Sequence, residues 1–227
     1  MSIIPEVQER LLTAFPPSSN AVLVRAVQEG IFLADQLFDG ETFLGNAIGR
    51  DLRGHIRRAG VSFQIKKYCE RGDLDFIAQE KEMPRGRWHW LEIQSTGAIA
   101  HICRTDDANS FPDETESRQD IRVKLQGDLF AWDAEKTDFG KIIRAIPKLY
   151  SWMIYRVGVG QQLAHLCWVS PAADMDVYVG HIDVLKQVTA LGHVPIVSSV
   201  PDPKDKVKLK EHLADALEKS KDKKTGV

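Results

Sequence analysis

Apolar residues recur along this chain first at helical and then at strand spacing. Residues 6–15 form a first helical stretch that stops at Pro16-Pro17. Ser18, Ser19 and Asn20 offer N-caps for a second helix over 21–38, in which Val24, Val27, Ile31, Leu33, Ala34 and Leu37 make a broad apolar stripe. A third helix is predicted over 41–58, with Phe43, Leu44, Ala47, Ile48, Leu52 and Ile56 on one side. Its other side collects Arg50, Arg53, His55, Arg57 and Arg58. Gly45, Gly49 and Gly54 each cost about 1 kcal/mol against Ala in a helix, so they point to close packing or to a break. The spacing then changes to period two, which predicts strands over 61–69, 73–79 and 88–95. Residues 98–103 either extend the third strand past Gly97 or pair back on it.

Farther along, 105–117 is acidic and polar and reads as a mobile loop, followed by a helical stretch at 117–130. A stronger helical pattern covers 139–155, bent at Pro147. Residues 161–169 alternate as a buried strand ending at Ser170-Pro171, 172–189 reads as a helix, and 194–200 as a last short strand. From Pro201 the chain is lysine-rich, with a surface helix over 205–219 carrying Leu209, Leu213 and Leu217 on one side, and a basic tail. The order helix, strand, strand, strand, helix, strand predicts a mixed α/β (α+β) class: a central, partly antiparallel sheet of about four to six strands flanked by helices. One domain is expected over 1–200, with a helical N-terminal extension at 1–40 and a core from about 41, followed by the lysine-rich helix and tail at 201–227. There is no internal repeat.

Composition narrows the function little. The 227 residues carry a formal net charge of −2, so no global field argues for nucleic acid or for a membrane surface. The three cysteines are far apart, which argues for free thiols in a reducing compartment and against zinc. The first residues lack a basic, then apolar, leader pattern, and no run approaches the roughly 20 apolar residues of a membrane span. A cytoplasmic protein is expected.

The candidate chemistry lies in the hairpin at 73–94. Alternation puts Asp73 and Asp75 on one face of the first of its strands, and Trp90, Glu92 and Gln94 on one face of the second. The turn between them, 79–87, contains Pro84 and Gly86. Folding it brings Asp75 toward Glu92, and a pair of close carboxylates is made favourable by a divalent cation. His89 and His101 flank this hairpin, and either is a candidate base. The seven histidines form no HxH or HExxH pattern, and no phosphate-binding glycine loop or nucleophile elbow is present.

A helix followed by three strands, with Asp75 on the second strand and Glu92-Ile93-Gln94 on the third, then helix and strand, resembles the PD-(D/E)XK nuclease superfamily over 41–169. The resemblance implies a restriction-endonuclease-like core and Mg2+ (or Mn2+) held by Asp75 and Glu92, with Asp73 as the alternative acid. It implies a phosphodiester substrate in DNA or RNA. Gln94 stands where that family carries its lysine, so the missing cation would come from elsewhere, with Lys66, Lys67 and Lys124 as candidates. Glu41 or Asp51 on the preceding helix would complete the metal shell. Arg50, Arg53, Arg57 and Arg58, with Lys66 and Lys67, would hold the phosphate backbone. The family also implies a homodimer. The competing reading is a non-catalytic nucleic-acid-binding or regulatory protein on the same scaffold, such as a defence or toxin-system component. The Asp73-Leu74-Asp75 strand also resembles the acidic strand of nucleotidyltransferases, with a poor match to their Gly-Ser turn at 59–62.

Overall fold

The computed structural model describes residues 3–82, 89–113, 118–123, 148–158, 162–173, 176–191 and 207–211. Two helices open the chain, each started by a proline whose missing N–H is not needed there: α1 (Pro5–Ala14) and α2 (Pro17–Gly40). The expected caps Ser18, Ser19 and Asn20 therefore lie inside the first turn of α2. Asn20 is fully buried and its Nδ2 donates to Gln187 Oε1 at 2.7 Å.

The expected third helix is both broken and extended. A 3-10 turn (Thr42–Gly45) precedes α3 (Ala47–Glu70), whose N-cap Asn46 accepts the Gly49 N–H at 2.7 Å. α3 therefore runs through 61–69, which is helix and not strand. Its buried positions Gly60, Val61, Gln64, Ile65 and Tyr68 follow helical spacing. Ile48 and Leu52, expected on its buried side, are exposed. Gly60 lies where α3 crosses α2: a Cβ there would come within 2.4 Å of the Gly30 carbonyl oxygen, so only glycine permits this approach. α3 ends at Gly72 (φ 77°), with Gly72 N–H donating to Cys69 O at 3.0 Å and Asp73 N–H to Tyr68 O at 3.0 Å. That bond pair is a Schellman stop.

Six strands follow: β1 (Ile77–Glu82), β2 (His89–Ser95), β3 (Ala98–Arg104), β4 (Leu149–Val157), β5 (Leu163–Pro171) and β6 (Tyr178–Asp183). They form one mixed sheet in sequential order, antiparallel at every joint except β3–β4, which is parallel. The mixed α+β class with a six-stranded sheet flanked by helices is thus as expected. Residues 98–103 pair back on β2 through Gly97 (φ 76°).

Two expected helices are strands instead. Residues 149–157 form β4, where Leu149 to Tyr155 are apolar or buried on both faces, the pattern of a central strand. Residues 178–183 form β6 ahead of a short helix (Val184–Ala190) capped by the Asp183 side chain at Lys186 N–H, 2.9 Å. A helical piece is described at 118–123, within the stretch expected to be helical, and another at 207–211. There Leu209 packs on Leu33 and Leu37 of α2. The remainder of the helices expected at 117–130 and 205–219, the strand at 194–200, and residues 139–147 lie outside the described residues.

Each face of the sheet has its own core. The helix side gathers Leu91, Ile93, Ala98, Ala100, Leu149, Met153, Leu166 and Trp168 against Leu11, Phe15, Leu23, Val27, Val61 and Ile65. The second side gathers Cys103, Tyr150, Trp152, Ile154, Cys167, Val169 and Tyr178 under Ala108, Phe111 and Ile121. The described part of the loop expected to be mobile, 105–113, is tied down over this side. Asp107 accepts the N–H groups of Asn109 (2.7 Å) and Ser110 (2.9 Å), and Phe111 stacks on Tyr178 at 4.7 Å. Among the described residues no helix is long and apolar enough to cross a membrane.

Candidate functional site

Asp73 and Asp75 precede the sheet; they are not on a strand. Asp73 follows the Schellman stop and pairs with Arg71 at 2.6 Å. Leu74 and Phe76 turn into the helix-side core, and Asp75 between them is exposed. The β1–β2 register sets Gln79 opposite Glu92, and Asp75 lies four residues before Gln79. The fold therefore does not bring Asp75 to Glu92 as cross-strand neighbours, because the strand expected at 73–79 begins only at Ile77.

Glu92 has other company. Strand alternation places Trp90, Glu92 and Gln94 on the second face, as their spacing predicts, with Leu91 and Ile93 in the opposite core. The β2–β3 register pairs Glu92 with His101, whose Nε2 stands 3.9 Å from Glu92 Oε2. The buried His101 shares a 3.0 Å hydrogen bond between its Nδ1 and the Tyr150 hydroxyl on β4. With the Nε2 proton toward Glu92, Nδ1 accepts from Tyr150, so carboxylate, imidazole and phenol form one line across three strands. Gln94 Nε2 donates to Glu92 Oε1 at 2.7 Å, and Lys148 Nζ donates to Gln94 Oε1 at 3.4 Å. The Trp90 ring lies 5.5 Å from His101, and its indole N–H finds no acceptor among the described residues.

The electrostatics agree with this geometry. His101 first, then the Gln94 amide and Lys81, holds the Glu92 carboxyl below its ordinary range against the opposing effect of burial. Burial pushes the Tyr150 phenol well above its ordinary value, so it stays protonated as a donor. Lys81 pairs with Trp90 across β1–β2 and so shares this face. One carboxylate thus stands among a histidine, two lysines and two glutamines, a set suited to an anionic ligand. A divalent ion of the Mg2+ type needs several oxygen ligands, and among the described residues no three His, Cys, Asp or Glu side chains are placed to hold a metal.

The basic residues divide by role. Arg53 and Arg57 turn inward to Asp35, which is 1% exposed: Arg57 Nε and Nη2 donate to its two oxygens at 2.9 and 2.8 Å, and Arg53 Nε to Oδ1 at 3.2 Å. These guanidiniums pin α3 to α2. Lys66 pairs with Glu80 at 2.7 Å, and Lys67 is half-buried on the same helix. Arg50 is exposed and Arg58 half-buried. Of the helical acids, Glu41 pairs with Lys210 and Asp51 is exposed. Lys124 lies outside the described residues. Sequence reasoning missed Lys148 as the cation beside Gln94 and Tyr150 behind His101. Both sit at the start of β4, and no local spacing links them to the hairpin.

Comparison of the chain with protein-family models, with curated proteins and with solved structures finds no match.

Proposed function

We propose that this chain binds nucleic acid on a nuclease-like scaffold, without metal-dependent hydrolysis at Glu92. The observation that carries the reading is the pairing of Glu92 with His101 where a second carboxylate would be needed, beside Lys81 and Lys148. The element order of α3, three antiparallel strands and a parallel return to β4 supports the scaffold part. Lysines supply phosphate attraction, and the half-buried Trp90 ring supplies a stacking surface. Glu92 holds His101 and Gln94 in place and sets the polarity of the patch.

The test joins binding to turnover. Single-stranded DNA and RNA should bind with an affinity that falls as salt rises, and a Lys81→Ala/Lys148→Ala double variant should weaken both by roughly tenfold with a shallower salt slope. In Mg2+ or Mn2+, wild type, Asp75→Ala and Glu92→Ala should share the same background of strand cleavage. Metal-dependent cutting that disappears in Glu92→Ala would restore the metal-nuclease reading, and unchanged binding in the lysine double variant would remove this one.

A further inference from the structure

A second cationic site lies on the other side of the sheet, at its single described parallel joint. β3 ends at Arg104 and β4 at Val157, and α3 meets their carboxyl ends through Gly54 and Arg57. In open sheets the crevice outside the carboxyl ends of parallel strands is where ligands dock. Here it is a cavity of about 30 Å³ lined by Gly54, Arg57, Arg104, Tyr155 and Val157. A buried water needs roughly half that space by the same measure, so the cavity takes oxygen atoms of a group entering from solvent.

Its donors are arranged in advance. Arg57 is locked by its fork on the buried Asp35, which uses Nε and Nη2 and leaves Nη1 without a partner among the described residues. Arg104 is exposed, and its side chain makes no hydrogen bond or ion pair among the described residues. Tyr155 is 1% exposed, and burial pushes its phenol up to about 12, although Arg58, Arg104 and Arg57 all pull it down. It is therefore a neutral donor beside three guanidiniums. A Cβ at position 54 would stand 3.0 Å from Arg104 Nη1, so Gly54 leaves that guanidinium its room.

We infer that this cleft binds a single phosphoryl group, with Arg104 as the forked donor, the remaining Nη1 of Arg57 as a second donor and the Tyr155 hydroxyl completing the contact. Guanidinium forks match phosphate oxygens in pairs, and the buried carboxylate Asp35 is already engaged by Arg53 and Arg57. The inference does not depend on the nucleic-acid reading of the second face.

The experiment uses the full chain in thermal-shift and calorimetric titrations at matched ionic strength. Inorganic phosphate, a 5′-phosphorylated tetranucleotide and the same tetranucleotide with a 5′-hydroxyl are compared with chloride. Wild type should be stabilised more by inorganic phosphate and by the 5′-phosphorylated tetranucleotide than by the one with a 5′-hydroxyl, and Arg104→Gln should weaken that effect on the order of tenfold, with Arg104→Lys between them. The melting temperature of each variant in chloride reports that the exposed substitution leaves the fold intact. Whichever phosphate source binds more tightly names the natural ligand's class, free anion or terminal phosphate. Equal response of wild type and Arg104→Gln, or no difference between phosphate and chloride, overturns the site. A Lys81→Ala/Lys148→Ala protein that keeps its phosphate response separates this site from the second-face reading.

Discussion

On the helix side of the sheet Trp168 stacks flat on Phe15 at 3.9 Å, with Phe76 edge-on to both rings at 5.6 and 6.0 Å. On the other side Tyr150 and Trp152 are equally buried, yet they sit among His101, Cys103 and Cys167, with Glu92 at the margin. Both faces exclude water, and the second carries a carboxylate, an imidazole and a phenol in line across three strands. The first face holds the molecule together through close packing. The second spends part of its burial on hydrogen bonds that do little for stability and much for placing a carboxylate, an imidazole and two lysines together.

That contrast can be broken most strongly on the helix side. Trp168→Ala should cost about 3–5 kcal/mol in urea unfolding, because Phe15 and Phe76 lose the ring they enclose, whereas the half-buried Trp90→Ala should leave the midpoint nearly unchanged and weaken nucleic-acid binding. Gly60→Ala should cost about 1–3 kcal/mol, since the added methyl meets the α2 backbone and not a flexible side chain. A melting temperature equal to wild type would mean that α2 and α3 do not cross as closely as described. On the second face, Tyr150→Phe should cost only about 1 kcal/mol by removing the hydroxyl bonded to His101.

The smallest effect is expected in the pH profile, and it sharpens the comparison best. Burial lowers the His165 and His181 pKa values from 6.5, and His101 leads the lowering of Glu92 from 4.5. In each case the unfolded chain takes up a proton before the folded chain does, so stability is present at neutral pH and declines on acidification. The histidine part of the loss should begin below pH 6.5 and the Glu92 part below pH 4.5. Melting curves of Glu92→Gln should keep the first decline and flatten the second. A variant that follows wild type at every pH would show that the His101–Glu92 contact does not shift the carboxyl.

Much of this was legible in the chain, and what was not has particular causes. Alternation alone placed Trp90, Glu92 and Gln94 together. The helix over 61–69 was also readable, since Val61, Ile65 and Tyr68 keep helical spacing and Gly72 marks its end; Val61, Phe63 and Ile65 happen to alternate as well, and that short match suggested a strand. The error moved Asp75 onto a strand it does not occupy. β4 was misread because a strand buried on both faces has no period to show. His101 was legible as a candidate base beside the hairpin, but its pairing with Glu92 depends on strand register, and Lys148 was out of reach because it depends on pairing across a long connection. Likewise, nothing local to α3 says that Asp35 of α2 will claim Arg53 and Arg57.

The parallel joint between β3 and β4 bears on how the chain assembles. Strands β1 to β3 form one meander and β4 to β6 another, and each closes through antiparallel neighbours in sequence. Either half can gather from local encounters, while their union must wait until the long segment after Arg104 returns. Tyr150 and Lys148 come from the second half to the His101 and Gln94 that hold Glu92 in the first, and the two strand walls of the arginine cleft likewise belong to opposite halves. The two proposed binding regions are therefore complete only when the two halves have joined, so a half-assembled chain would present neither.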